Sequence, residues 1–170
     1  MPEQTIPMLG FAAWSGTGKT TLVEQVILEL RSRGLRVAVI KHDAHDFDID
    51  HPGKDSHRFT QAGSVMTILS SPHKTAVIEQ RPHSLWECAG WVRDADLILV
   101  EGYKWENIPR IGISRLATGK GLPEKPETYL AVVTDDPALE NAPVPVFGLA
   151  DVKGLTDYFL SALHIDFTAK

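Results

Sequence analysis

The chain has 170 residues, of which 43% are hydrophobic and 23% charged, a composition typical of one globular domain spanning residues 1–170. Its formal net charge of −5 provides no overall positive field for nonspecific binding of nucleic acid. The single cysteine, Cys88, excludes an intramolecular disulfide and a cysteine-based metal cluster. The sequence shows no signal-peptide pattern and no apolar run of the roughly 20 residues that span a membrane. We therefore expect a cytoplasmic protein that uses neither nucleic acid nor a membrane as a partner.

Short apolar segments alternate with longer amphipathic ones, which predicts an α/β fold with a mostly parallel, twisted sheet and helices on both faces. The predicted strands are Met8–Ala13, Leu35–Lys41, Val65–Leu69, Thr75–Glu79, Asp96–Glu101, Leu130–Thr134 and Val144–Phe147. The predicted helices are Thr20–Arg33, His57–Ala62, Pro82–Arg93 and Val152–Leu163. The third and fourth strands, separated by a short polar turn, predict a β-hairpin added within or beside the parallel sheet. The segment Trp105–Pro126, with three glycines and three prolines, is predicted to be irregular.

A phosphate-binding loop is predicted between the first strand and the first helix. Residues 13–20 read A-W-S-G-T-G-K-T and match G-x-x-x-x-G-K-[ST], except that Ala13 replaces the first glycine. In this motif the backbone N–H groups surround phosphate oxygens, Lys19 reaches the β- and γ-phosphates, and Thr20 ligates Mg²⁺. The alternative is a glycine-rich turn that only caps a helix, but the predicted strand before the loop and amphipathic helix after it favour phosphate binding. The predicted nucleotide-binding residues of this segment are Trp14, Ser15, Gly16, Thr17, Gly18, Lys19, Thr20 and Thr21.

Two acidic residues are predicted to lie beside the phosphate loop. Glu101 ends an apolar strand, where it would hold Mg²⁺ or orient an attacking water, so Lys19 and Glu101 are the predicted catalytic residues. The alternative for Glu101 is an ordinary polar strand end. Asp43 follows the second strand, and we predict that it contacts the hydration shell of Mg²⁺. It belongs to the histidine- and aspartate-rich segment His42–His51, which has no established metal-ligand spacing and which we interpret as a solvated loop.

Residues after the later strands give weaker signals. Asp135 lies where P-loop GTP-binding proteins often place an aspartate that accepts hydrogen bonds from guanine, although an aspartate near Pro137 is also typical of a turn or helix N-cap. Gly102, directly after Glu101, is predicted to leave room for the phosphates. The four tryptophans are interpreted as core or interface residues; they are Trp14, Trp86, Trp91 and Trp105.

Several blocks of the sequence together resemble a known family. They are Phe11–Leu22, Lys41–His42, Phe47–Asp50, Pro52–Ser56, Ala62–Gly63 and Leu97–Lys104. In this order they resemble the MobB family of molybdopterin-guanine dinucleotide biosynthesis adaptor proteins. The resemblance implies a P-loop NTPase fold, GTP bound with Mg²⁺, slow GTP hydrolysis at most, and a homodimer. It also implies the molybdenum cofactor guanylyltransferase as partner and a contact with molybdopterin. Ala44 replaces the first of a histidine pair that the family often has, which leaves His45.

Two other functions remain open from the sequence. In a small-molecule P-loop kinase that uses ATP, cationic residues of the irregular segment would form a lid over the transferred phosphate; these are Arg110, Arg115, Lys120 and Lys125. In a pure binding module, the acidic loop would contact a basic partner. No arginine is recognisable from the sequence as an arginine finger, so we predict at most a weak GTPase. The exposed edge of the hairpin is the predicted dimer seam.

Overall fold

The computed structural model describes residues 6–43, 47 and 49–166. The strands are β1 (Met8–Ala12), β2 (Val37–Lys41), β3 (Met66–Ser70), β4 (Thr75–Glu79), β5 (Leu97–Glu101), β6 (Arg110–Ile113), β7 (Ala131–Val133) and β8 (Val146–Phe147). The helices are α1 (Lys19–Ser32), α2 (Asp55–Gln61), α3 (Leu85–Trp91) and α4 (Val152–Ala162). The predicted helices and strands are thus confirmed, with ends that differ by a few residues.

Six strands form one sheet in the order β2-β5-β1-β6-β7-β8, and every neighbouring pair in it is parallel. β5 lies between β1 and β2, so the acid that ends β5 is directly beside the loop that leaves β1. The register pairs Phe11 of β1 with Glu101, and Glu101 in turn with Lys41 of β2. The carboxyl ends of these three strands therefore meet at one edge, where open α/β sheets bind their ligands.

Apolar residues cover both faces of the sheet, as expected for parallel strands. On one face α1 and α4 pack over side chains of β1, β5, β6 and β7, and Phe159 of α4 is fully buried there. On the other face α3 contributes Leu85, which packs with Ile40, Ile98 and Val100. Helices on both faces are thus confirmed. Of the helices within the described residues, none combines the length and apolarity needed to cross a membrane.

The prediction that Trp105–Pro126 is irregular is wrong in its centre, because β6 lies inside it and is an interior strand of the sheet. This strand has four residues and contains Gly112, so its hydrophobic pattern is too short to recognise. The glycine has a packing role: a Cβ at this position would be 2.6 Å from Cδ2 of the Tyr129 ring. Close packing of an aromatic ring on the strand therefore requires glycine here.

The predicted hairpin is confirmed, and it forms a separate two-stranded antiparallel sheet. In its register Ile68 pairs with Val77, and these side chains are 61% and 47% exposed. Thr67, on the opposite face, is buried, and α2 packs near β3. This chain therefore covers only part of the face that carries Thr67, where Leu69 is 42% exposed, while the other face presents apolar side chains to water.

Candidate functional site

The loop between β1 and α1 has the backbone of a phosphate-binding loop. Gly16 and Gly18 adopt φ values of 83° and 92°, a region that residues with a Cβ rarely occupy. The Thr17 hydroxyl donates to the carbonyl oxygen of Trp14 at 2.7 Å, and its backbone N–H donates to the same oxygen at 3.3 Å. Thr17 is buried and does not line the cleft described below, so its side chain stabilises the loop from behind.

The amino end of α1 is open to a ligand. Gly18 is the N-cap residue and provides no side-chain hydrogen bond, and the first turn contains no acidic residue. A 14-residue helix carries a partial positive charge at this end, with N–H groups that have no partner within the helix. A phosphate group would supply both the acceptor oxygens and the negative charge that this helix end lacks.

Lys19 and Glu101 form an ion pair in which the Lys19 Nζ donates to Glu101 Oε1. Their side chains are only 20% and 17% exposed, so the pair is largely shielded from water. The structure thus brings the two predicted catalytic residues into contact. Because Lys19 would have to direct its charge to a phosphate, a bound nucleotide would compete with Glu101 for the ammonium group and leave the carboxylate available to a cation.

An open cleft of about 770 Å³ lies in front of the phosphate loop, a volume in the range of small-molecule sites. Its lining residues come from the ends of β1, β2 and β5 and from the first turn of α1. They are Ala13, Trp14, Ser15, Gly16, Gly18, Lys19, Thr20, His42, Asp43, Glu101, Gly102, Tyr103, Lys104 and Trp105. Of the predicted site residues, Thr17, Thr21 and Asp135 are not in this lining, while the others meet here.

The cleft offers oxygen ligands suited to Mg²⁺. The Thr20 hydroxyl and the carboxylates of Glu101 and Asp43 all line it, and oxygen is the donor that Mg²⁺ prefers. Asp43 also lies 3.9 Å from the ammonium of Lys41. No cluster of three or more histidine, cysteine or acidic side chains is placed to hold a metal among the residues that the structure describes. A magnesium ion bound mainly through nucleotide phosphates and water needs only one or two protein carboxylates, and these residues fit it.

Asp135 lies at the end of β7, two strands away from β1 in the sheet. Its Oδ1 accepts a hydrogen bond from the backbone N–H of Leu116 at 2.7 Å. The carboxylate therefore fixes the start of the turn that follows β6. This contact uses one carboxylate oxygen and leaves the role of Asp135 in base recognition a prediction.

Gly102 has a structural role that the sequence did not indicate. Its φ is 86°, and a Cβ here would be 2.8 Å from the carbonyl oxygen and the Cβ of His42. The His42 backbone N–H donates to the carbonyl oxygen of Glu101 at 2.8 Å. Gly102 lines the cleft, but His42 occupies the space that a side chain at position 102 would need. The glycine therefore allows the ends of β2 and β5 to approach each other.

The tryptophans are not core residues, so that part of their interpretation is wrong. The exposed fractions are 41% for Trp14, 53% for Trp86, 51% for Trp91 and 69% for Trp105. Trp14 and Trp105 line the cleft together with His42 and Tyr103, a grouping that sequence reasoning missed. The block Leu97–Lys104, which resembles the family, ends one residue before Trp105. No sequence motif contains both Trp105 and Trp14, so their proximity could not be predicted.

Two cationic residues that follow β6 approach the phosphate loop. A Cβ on Gly18 would be 3.7 Å from Nη1 of Arg115, and the Lys120 ammonium donates to the carbonyl oxygen of Ser15 at 3.2 Å. Arg110 instead donates to the carbonyl oxygens of Tyr103 and Glu106. These contacts of Arg110 hold the loop after β5 in place.

Part of the histidine- and aspartate-rich loop lies outside the described residues, namely 44–46 and 48. The departure at Ala44 and the remaining His45 are among them. Within the described part, Asp50 Oδ1 accepts hydrogen bonds from the hydroxyl of Ser56 and the backbone N–H of His51, both at 2.9 Å. This segment is therefore anchored to the start of α2.

Comparisons with known proteins agree with this geometry. The family model of MobB, molybdopterin guanine dinucleotide synthesis protein B, matches residues 8–135. The molybdopterin-guanine dinucleotide biosynthesis adapter protein of Escherichia coli (strain K12) is 41% identical in an alignment of 165 residues that covers 90% of this chain and 91% of that protein. The adapter protein of the same name from Haemophilus influenzae is 43% identical in an alignment of 136 residues that covers 78% of this chain and 76% of its own length.

Solved structures give the same fold. A crystal structure of molybdopterin-guanine biosynthesis protein B superimposes with a TM-score of 0.67 at 29% identity and covers 92% of this chain and 99% of that one. Bacillus subtilis MobB superimposes with a TM-score of 0.73 at 23% identity, covering 92% and 98% of the two chains. At that level of identity the second match supports the fold alone.

Proposed function

The chain belongs to the MobB family, and we propose that it acts in molybdopterin-guanine dinucleotide biosynthesis as an adapter that holds GTP with Mg²⁺. The observation that carries the nucleotide part is the phosphate loop itself. Its two glycines have positive φ, α1 begins without a side-chain cap, and Lys19 lies at the same strand edge as Glu101. These features together offer N–H donors and a positive charge to a triphosphate.

In this proposal the triphosphate takes the place of Glu101 as the partner of Lys19. Thr20 and Glu101 would hold Mg²⁺, with Asp43 at its hydration shell, and the ion would supply positive charge to the β- and γ-phosphates. Asp135 reads the guanine base from the β7 side of the loop. Family membership favours this adapter function over a small-molecule kinase that uses ATP.

Slow turnover is part of the same proposal. Fast P-loop GTPases place an arginine at the transferred phosphate, which is worth about 10³ to 10⁵ in rate. Among the described residues no arginine lines the cleft; Arg115 comes near Gly18 of the loop, where its Nη1 would be 3.7 Å from a Cβ on that glycine. Stable retention of GTP suits a protein that presents a nucleotide to another enzyme.

The partners we propose follow from the family and from the surface. The chemistry of the pathway requires a guanylyltransferase that joins GMP to molybdopterin. We propose that the adapter binds this enzyme. We also propose a homodimer whose seam includes the exposed face of β3 and β4, where Ile68 and Val77 lie side by side. An exposed pair of apolar side chains on a sheet is typical of a surface that a second chain covers.

The test is a calorimetric titration with GTP and then ATP, each with Mg²⁺, on the wild-type protein and on Lys19→Ala. We expect GTP to bind at least tenfold more tightly than ATP. Loss of the charge-assisted contact, worth about 1.5–3 kcal/mol, should weaken GTP binding of Lys19→Ala about 10- to 150-fold. The control is Lys153→Ala, since this lysine is 77% exposed on α4 and does not line the cleft.

Unchanged affinity of Lys19→Ala would contradict the assignment of the phosphate loop. Tighter binding of ATP than of GTP would instead favour the kinase. Asp135→Asn tests base recognition separately, because an amide oxygen can still accept from Leu116 but the charge on the base-reading group is lost. We expect this variant to lose much of its preference for GTP over ATP.

A further inference from the structure

Four aromatic residues line the cleft, and we refer to them as the aromatic wall: Trp14, His42, Tyr103 and Trp105. The His42 ring lies 4.8 Å from the ring of Tyr103 and 5.2 Å from that of Trp105, and the last two are 5.9 Å apart. Trp14 and Trp105 nevertheless leave 41% and 69% of their surface exposed. Large indole surfaces that face water inside a concave site are typical of a ligand-binding surface.

The part of the wall that follows β5 is held in place by several independent contacts. Tyr103 is buried and adopts a φ of 47°, and its carbonyl oxygen accepts from Nη2 of Arg110 at 3.1 Å and from the backbone N–H of Glu106 at 3.0 Å. The Nε1 of Trp86 donates to Oε2 of Glu106 at 3.0 Å. The exposure of Trp105 therefore belongs to a positioned loop, and a positioned ring loses little entropy when a ligand stacks on it.

The hydroxyl of Tyr103 does not contribute charge to the wall. Burial and the hydrogen bond with the Cys88 thiol, 3.7 Å away, raise the pKa of Tyr103 to about 12. The positive group at the wall is Lys104, whose Nζ lies 5.9 Å from the centroid of the Trp14 ring. An aromatic surface with an ammonium group at its margin matches a planar ring that carries an anionic substituent.

Three members of the wall lie on the opposite side of the phosphate loop from Asp135, and the fourth, Trp14, belongs to the loop itself. His42 follows β2, Tyr103 and Trp105 follow β5, Asp135 follows β7, and the sheet order β2-β5-β1-β6-β7 puts the loop after β1 between them. A nucleotide whose phosphates occupy the loop and whose base reaches toward Asp135 leaves the wall uncovered. The wall therefore borders the end of the triphosphate and not the base.

We propose that the aromatic wall and Lys104 form a second subsite, which takes a planar pterin-type heterocycle with an anionic substituent while the phosphate loop holds the nucleotide. Trp105 supplies the exposed stacking face and Lys104 the countercharge. This inference rests on the proposed function, since it places the base of the nucleotide on the Asp135 side. The cleft would then bind two ligands at the same time, the nucleotide at the phosphate loop and the heterocycle at the aromatic wall.

The probe is pterin-6-carboxylate, titrated by calorimetry into the protein saturated with Mg²⁺ and a non-hydrolysable GTP analogue. The variants are Trp105→Leu, Trp105→Phe and the matched control Trp91→Leu, whose tryptophan is 51% exposed but does not line the cleft. Stacking of a ring on an aromatic side chain accounts for about 5- to 150-fold in affinity. We expect Trp105→Leu to weaken pterin binding tenfold or more, Trp105→Phe to weaken it less, and Trp91→Leu to match the wild type.

Three results would overturn the proposal. The first is no pterin binding to the nucleotide-loaded protein; the second is an equal loss in Trp105→Leu and Trp91→Leu. The third is a parallel loss of GTP affinity in Trp105→Leu, which would place guanine on the wall. A failure of the proposed function can be told apart from a failure of the second subsite. If the proposed function is wrong, Lys19→Ala does not weaken GTP binding, whatever the result of the pterin titration.

Discussion

The six-stranded sheet and the β3–β4 hairpin differ in how far this chain alone covers them. The four interior strands of the large sheet, β5, β1, β6 and β7, bury nearly all of their apolar side chains, and Leu97 and Ile98 of β5 are almost fully inaccessible. The hairpin instead has Ile68 and Val77 facing water. The large sheet is stabilised by intramolecular packing, whereas the hairpin exposes apolar surface, which is where we propose that the second copy binds.

This difference indicates that ligand binding and association with a second chain depend on different regions of the molecule. The rigid sheet places the phosphate loop, Glu101 and the aromatic wall at one edge, so ligand binding depends on intramolecular packing. The hairpin lies apart from that edge and contributes no residue to the cleft lining. Changes in the hairpin should therefore affect association and leave nucleotide binding intact.

The largest expected effect is on the stability of the main core. Phe159→Ala removes a fully buried ring of α4 and should lower the free energy of unfolding by about 3–5 kcal/mol, because a cavity remains in the packed core. Ile68→Ala, at a side chain that is 61% exposed, should change it by less than about 1 kcal/mol when measured at monomeric dilution. Denaturant unfolding of the two variants measures the difference, and equal losses would contradict the distinction between the two regions.

The second expected effect is on association. Ile68→Lys places the same charge on both copies of the proposed seam, so the dimer dissociation constant should rise at least about tenfold. The matched control is Leu28→Lys on α1, since Leu28 is 63% exposed and lies outside the hairpin. Sedimentation equilibrium measures both constants. If the two variants weaken the dimer equally, or neither does, the seam is not on the hairpin.

Much of the fold was predictable because its elements have strong local patterns. β1, α1 and β5 combine apolar periodicity with glycine or acidic ends, and their order predicts a parallel sheet. β6 was missed because its signal depends on a partner distant in sequence: Gly112 makes room for the ring of Tyr129. Four residues with a glycine among them carry no pattern that indicates an interior strand.

The candidate site was predictable to the extent that it lies on contiguous motifs. The phosphate loop and Glu101 could be recognised, and the structure brings Lys19 and Glu101 into contact. The aromatic wall could not, since it joins residues from three strand ends that only the tertiary fold brings together. The role of Gly102 was also hidden, because the atoms that would contact its Cβ belong to His42.

The central claim is that this cleft retains a nucleotide and does not turn it over rapidly. The most direct measurement is the rate of GTP hydrolysis by the isolated protein with Mg²⁺, under conditions in which titration shows the site to be occupied. We predict a rate far below one turnover per second, on the order of the 10⁻⁴ s⁻¹ of P-loop GTPases that have no arginine at the transferred phosphate. Many turnovers per second from the isolated chain would contradict the adapter and indicate an enzyme.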